Sequence, residues 1–197
     1  MIKSFDFFFD FISPYSYLAH KQIREIEKQN KITINYKPML LSGLHNLAGI
    51  TAPAFVPEKM KYMIRDCKMV AEKFNIKFKF NSNFPINSLA MMRGLIFAKQ
   101  KGESNTYIDI FYDAYWKDGL DLADEKIFIS ILKKINIDFF EFKRGISEQK
   151  IKDRLKFNTD EAYKKGIFGA PSFIVNNKLF WGQDRLEFVL KEAQKLD

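Results

Sequence analysis

Ser13 and Ser16 stand in "FDFISPYSYLA", residues 9–19, where an apolar run gives way to a helical pattern. Ser13 suits the capping position of that helix, and Pro14 suits its first turn. A helix start presents unpaired N–H groups and the positive end of the helix dipole, which together favour an anion such as a thiolate. Ser13-Pro14-Tyr15-Ser16 places hydroxyls where a redox Cys-x-x-Cys pair would carry thiols. A hydroxyl cannot shuttle electrons, but it can donate a hydrogen bond to a sulfur held in front of it. Two readings follow: Ser13 is only a helix cap, or it faces a thiol brought by a ligand.

Two further stretches could complete such a site. "GIFGAPSFIV", residues 166–175, runs a Gly-Ala-Pro turn into a strand. Pro171 is either cis, with the Ala170 backbone offered to an extended peptide, or an ordinary trans proline at a strand start. In "FWGQDRLEF", residues 180–188, Gly182 permits a tight turn before a helix that starts at Gln183 or Asp184. The free amides there suit a carboxylate, and Asp184 suits an α-amino group; a capped terminal helix is the alternative. Together these groups suit the γ-glutamyl end of glutathione.

The remaining reactive residue types are few. The single cysteine, Cys67, excludes an internal disulfide and a two-cysteine redox cycle. Its surroundings, "KMKYMIRDCKMVAEKF", have apolar residues at helical spacing, so it reads as an inert helix cysteine. His45 has no nucleophile to pair with in the sequence, and His20 reads as a surface or packing residue of the first helix. No Cys/His constellation suggests a metal.

The elements that must position these residues follow from periodicity. "SFDFFFDFI", residues 4–12, reads as a buried strand, "YSYLAHKQIREIEKQ" as an amphipathic helix and "ITINYKPML" as a second strand. Helical patterns then cover 57–74, 87–101, 104–116 and 124–135, a short helix starts over Phe139–Phe142, and a long one spans 147–165. "APSFIVNN" and "KLFWG" form a hairpin turning at Asn176–Asn177, and "QDRLEFVLKEAQKL" closes as a helix. The order is βαβ, helices, then ββα: an α/β thioredoxin-like core from residues 1–41 and 157–197, with residues 42–156 inserted as a helical domain.

Composition bounds the rest. The 197 residues are 47% hydrophobic and include 21 Phe, enough for a filled core. The net charge of +8 is spread along the chain without a basic block, which favours a small anionic ligand over nucleic acid. No apolar stretch approaches the roughly 20 residues of a membrane span, and the start lacks a signal-peptide pattern. A cytoplasmic protein is expected.

The chain resembles the glutathione-dependent 2-hydroxychromene-2-carboxylate isomerases and the kappa-class glutathione transferases, both in the DsbA-like branch of the thioredoxin fold. "FDFISPYSYLA", "YKPMLLSGL", "PAFVPEKMKYM", "GIFGAPSF" and "FWGQDRLE" occur in family order over nearly the full length. The resemblance implies that Ser13 contacts the glutathione sulfur. It also implies that Ala170, before cis Pro171, pairs with the cysteinyl backbone, and that Trp181, Gly182, Gln183 and Asp184 receive the γ-glutamyl group. Lys59 matches a lysine near glutathione. Asn46 and Ile50 in "HNLAGIT" stand where relatives commonly carry Lys and Asn toward the substrate, and Phe84 matches an aromatic pocket residue. The resemblance further implies a homodimer acting on a small aromatic or electrophilic substrate, as an isomerase or as a transferase. A glutathione- or peptide-binding module with little turnover is the non-enzymatic alternative.

Overall fold

The computed structural model describes residues 3–29 and 32–195. Its centre is a mixed four-stranded sheet in the order β2-β1-β3-β4. Strand β1 (Lys3–Phe9) pairs in parallel with β2 (Ile32–Pro38), and helix α1 (Pro14–Gln29) makes the crossover between them. Strand β3 (Ser172–Val175) runs antiparallel to β1, and β4 (Lys178–Trp181) antiparallel to β3. Asn176 and Asn177 make the hairpin turn, with φ of 50° and 59°. Asparagine tolerates that left-handed region better than other residues with a Cβ, and two such residues in succession match the twist of the flanking strands.

The aromatic run of β1 explains why this strand is central. Side chains alternate across a strand, so Phe5, Phe7 and Phe9 enter one core while Phe8 enters another. Phe7 stacks on Phe173 of β3 at 5.4 Å and on Phe9 at 5.0 Å. Phe8 packs with Met39, Leu44, Ala162 and Ile167 on the opposite face. Burial on both faces favours a continuous apolar strand over an alternating one.

Helix α2 (Leu41–Ala48) follows β2, and α3 (Pro57–Lys73) starts after a short turn at Pro53–Phe55. An irregular segment then leads to α4 (Leu89–Gln100) and α5 (Ser104–Tyr112). Helices α6 (Glu125–Lys133), α7 (Phe139–Ser147) and α8 (Gln149–Lys164) complete the middle of the chain. Helix α9 (Leu186–Ala193) closes the described chain after one tight turn at Gln183–Arg185.

Several boundaries differ from the sequence expectations. The first strand ends at Phe9, because Asp10 turns its carboxylate onto the N–H groups of Ile12 and Leu41. The loop expected after the second strand contains α2. The helix expected over 104–116 changes to the wider π form at Asp113–Lys117. The terminal helix expected over 183–196 begins as the tight turn, and its last residue, Leu196, lies outside the described residues. Met1, Ile2, Asn30, Lys31 and Asp197, which fall within the expected thioredoxin-like segments, also lie outside them.

Candidate active site

Ser13 caps α1. Its Oγ accepts the Ser16 N–H at 3.1 Å, and its carbonyl accepts the Tyr17 N–H at 3.1 Å. The same hydroxyl donates to the Ala170 carbonyl at 3.0 Å. Ala170–Pro171 is a cis peptide, as one of the two sequence readings required. The Tyr15 N–H, in the first turn, has no acceptor among the described residues, as expected at an open helix start. Ser16 is fully buried behind this turn.

A cavity of about 670 Å³ opens in front of Ser13, within the range of small-molecule sites. Ser13 and Ala170, joined by their hydrogen bond, line it together with Tyr15 and the adjacent rings of Trp181 and Phe168. Leu41, Ser42 and His45 of α2 form a second wall, with Ile50 beyond them. Phe55, Lys59 and Met63 come from the turn before α3 and from its first half. Phe84, in a cis peptide with Pro85, brings the irregular segment to the same cavity. Phe84 is held there against Phe80 and Trp116, with ring centres at 5.2 and 5.5 Å.

Asp10, which the sequence reading did not single out, ties this cavity together. It is fully buried. Oδ1 accepts the Ile12 N–H at 3.1 Å; Oδ2 accepts the Leu41 N–H at 2.8 Å and the Ser88 hydroxyl at 3.0 Å. One carboxylate thus joins the Ser13 loop, the start of α2 and the start of α4. Burial pushes its pKa up to about 6, and the three donors pull against that rise. The signal in the sequence was an acidic residue inside an apolar aromatic run, since an unpaired buried charge is costly.

The expected γ-glutamyl segment follows β4. Gly182 has φ 106°, a conformation open to glycine, and its N–H donates to the Pro171 carbonyl at 3.0 Å. Gln183 is buried, and its Oε1 lies 3.5 Å from Gln22 Nε2, so its side chain is turned away from the cavity wall. Asp184 is exposed and paired with Arg185 at 2.8 Å.

Asn46 does not line this cavity. It sits on the opposite face of α2, in a separate groove. Helical geometry explains the difference: Leu41, Ser42 and His45 share one face, while Gly43, Asn46 and Leu47 share the other. His45 is nearly buried, and desolvation lowers its pKa, keeping the ring neutral. His20 is a packing residue, fully buried rather than on the surface. It stacks on Tyr112 at 5.0 Å, and its Nε2 lies 2.7 Å from Asp109. Its Nδ1 is buried without a partner, and burial lowers its pKa. Cys67 is fully buried, and burial first, then Asp66, pushes its thiol pKa well up. No group of three or more His, Cys, Asp or Glu among the described residues could hold a metal ion. No helix among them is long and apolar enough to cross a membrane.

The βαβ–ββα sheet, the capped helix start and the opposed cis-proline turn define a thioredoxin-type protein whose two redox positions carry hydroxyls. The chain belongs to the DsbA-like thioredoxin family, whose DSBA-like thioredoxin domain model matches residues 4–194. It is similar to 2-hydroxychromene-2-carboxylate isomerase of Sphingobium xenophagum, 29% identical and covering 100% of both chains. It is also similar to glutathione S-transferase kappa 1 of Homo sapiens, 23% identical over 95% of this chain and 89% of that one. A solved structure of 2-hydroxychromene-2-carboxylate isomerase superposes with a TM-score of 0.89 at 25% identity, covering 98% of this chain and 95% of the other.

Proposed function

We propose that the chain is a glutathione-dependent isomerase acting on an unsaturated aromatic carboxylate of the hydroxychromene type. The observation that carries this reading is the meeting of the Ser13 hydroxyl, the open Tyr15 N–H and the Ala170 carbonyl in a single cavity. Those groups fit a cysteinyl peptide: a backbone acceptor for its N–H, and two donors for a sulfur anion.

When bound, glutathione supplies a thiolate that adds reversibly to the substrate, so that a fixed double bond becomes a rotatable single bond before the sulfur leaves. The chain supplies the positioning. Ser13 has one hydrogen to donate, and it points at the Ala170 carbonyl. A peptide N–H placed on that carbonyl frees the Ser13 hydrogen to turn toward sulfur, while the Ser13 oxygen continues to accept the Ser16 N–H. The Tyr15 N–H and the α1 dipole add to the same anion. Trp181 flanks the γ-glutamyl end from the cavity wall. The turn that follows it, shaped by Pro171 and Gly182, offers the Gln183 backbone N–H and the Asp184 carboxylate, which exchanges Arg185 for the α-amino group. The Gln183 side chain stays packed on Gln22. Lys59 faces a ligand carboxylate from α3. Phe84 and Ile50 contact the aromatic substrate. A homodimer belongs to this reading through the resemblance.

One observation favours a second reading. Ile50 and Phe55 make the outer wall of the cavity apolar, which suits conjugation of apolar electrophiles by a kappa-like transferase. The test is calorimetry and thermal melting with millimolar reduced glutathione, followed by assays of hydroxychromene carboxylate conversion and of electrophile conjugation. Glutathione should bind and raise the melting temperature by mass action. No heat and an unchanged melting temperature would refute the proposal. Glutathione binding without either conversion would reduce it to a binding module.

A further inference from the structure

Behind α2 lies a second cavity of about 410 Å³, walled by α2, α4 and α8. Leu40, Leu47, Leu89 and Leu155 make most of its lining apolar. Arg93 of α4 and Lys152 of α8 add positive charge, and Asn46 adds an amide. Arg93 Nε is buried without a hydrogen-bond partner. No carboxylate among the described residues forms an ion pair with Arg93 or Lys152. The acid on this wall, Asp160, is taken by Lys156 at 2.7 Å.

The Arg93 guanidinium has no acceptor among the described residues, so its fork at the groove wall is available to an incoming anion. We propose that this groove binds an amphiphilic carboxylate. Its carboxylate lies on the planar fork of Arg93, which matches two oxygens at once. Lys152 adds a second charge, and the hydrocarbon part of the ligand covers the four leucines. The volume is that of a small-molecule site. The site is independent of the glutathione reading, because the opposite face of α2 lines the first cavity.

Calorimetry with decanoate and with 2-naphthoate tests the proposal, with decanol as the uncharged control. Binding of one of the two carboxylates in a mode that Arg93→Gln weakens is expected, and which of them shows it tells a fatty acid from an aromatic acid; naphthoate heat that Arg93→Gln leaves unchanged belongs to the first cavity. Decanol should bind at least about tenfold more weakly. Arg93→Gln and Lys152→Gln, each confirmed as folded by melting temperature, should each weaken carboxylate binding about fivefold or more, whereas Ser13→Ala should not. Four results would overturn the proposal: neither carboxylate binds; decanol binds equally well; both charge-removing variants bind as wild type does; or Arg93→Gln changes the oligomeric state by light scattering, which would assign the groove to an interface with a second copy.

Discussion

The Ser13 hydroxyl donates to the Ala170 carbonyl at 3.0 Å, joining two positions 157 residues apart in the chain. The same oxygen accepts the Ser16 N–H. Ser13 is therefore a helix cap and a member of the cavity at once, and the two sequence readings are not exclusive. Ser13→Ala removes both bonds and should cost about 1–2 kcal/mol of stability, as capping losses do. Urea denaturation measures it; an unchanged midpoint would show that neither bond stabilises the fold.

Asp10 gives the fold a pH signature. Its folded pKa is raised to about 6 by burial, while the unfolded value stays near the usual carboxylate range. Between those values the folded state holds the extra proton, so the contribution of Asp10 to stability is fully present at low pH and is lost as pH rises through 6. The change amounts to about 3 kcal/mol. Asp10→Asn removes the titration, so the stability of the variant relative to wild type should improve by roughly that amount from pH 4 to pH 7. Chemical denaturation at a series of pH values checks this. A constant difference across that range would mean that Asp10 is ionised throughout.

Helix α2 separates the expected substrate residues, because Asn46 stands on its far face and Ile50 follows its end. Ile50 lines the first cavity and Asn46 lines the second. Ile50→Asn should change KM or kcat for the hydroxychromene carboxylate by about 2–10-fold, the worth of one hydrogen bond. Asn46→Lys alone should leave both constants near wild type. The reverse pattern in steady-state kinetics would show that α2 turns when substrate binds.

The outer elements were legible where a single signal dominated. The aromatic run of β1, the Ser13-Pro14 helix start and the Asn176–Asn177 hairpin each encode their structure locally; the helix start and the hairpin occur as read, and the strand occurs but ends at Phe9. Helix α2 was missed because "LSGLHNLA" contains a glycine and lacks a capping side chain. Without that helix, Asn46 and Ile50 looked like neighbours in one loop. Asp10 escaped notice for a different reason: its partners Leu41 and Ser88 are 31 and 78 residues away. Likewise, nothing local turns Gln183 away from the cavity. Local patterns carried the scaffold, whereas the facing of each site residue depended on long-range packing.

Gly169 lies under Trp181. A Cβ at that position would sit 2.6 Å from Trp181 Nε1, closer than a carbon and a nitrogen can pack. Gly169→Ala should displace the indole from Phe168, its neighbour at 4.9 Å. Overpacking of this kind costs about 1–3 kcal/mol in a tight site, though less here because Trp181 is half exposed. Glutathione affinity should fall about tenfold with little change in melting temperature. Unchanged affinity would remove Trp181 from the binding wall.

The central claim is that Ser13 stabilises a ligand thiolate at the start of α1. The most direct measurement is the ultraviolet thiolate absorbance of bound glutathione, followed against pH in wild type and in folded Ser13→Ala. A hydrogen bond to a charged group contributes roughly 1.5–3 kcal/mol, so the bound thiol should titrate about 1–2 pH units higher in the variant. Identical titration curves in the two proteins would contradict the account and leave Ser13 as a helix cap alone.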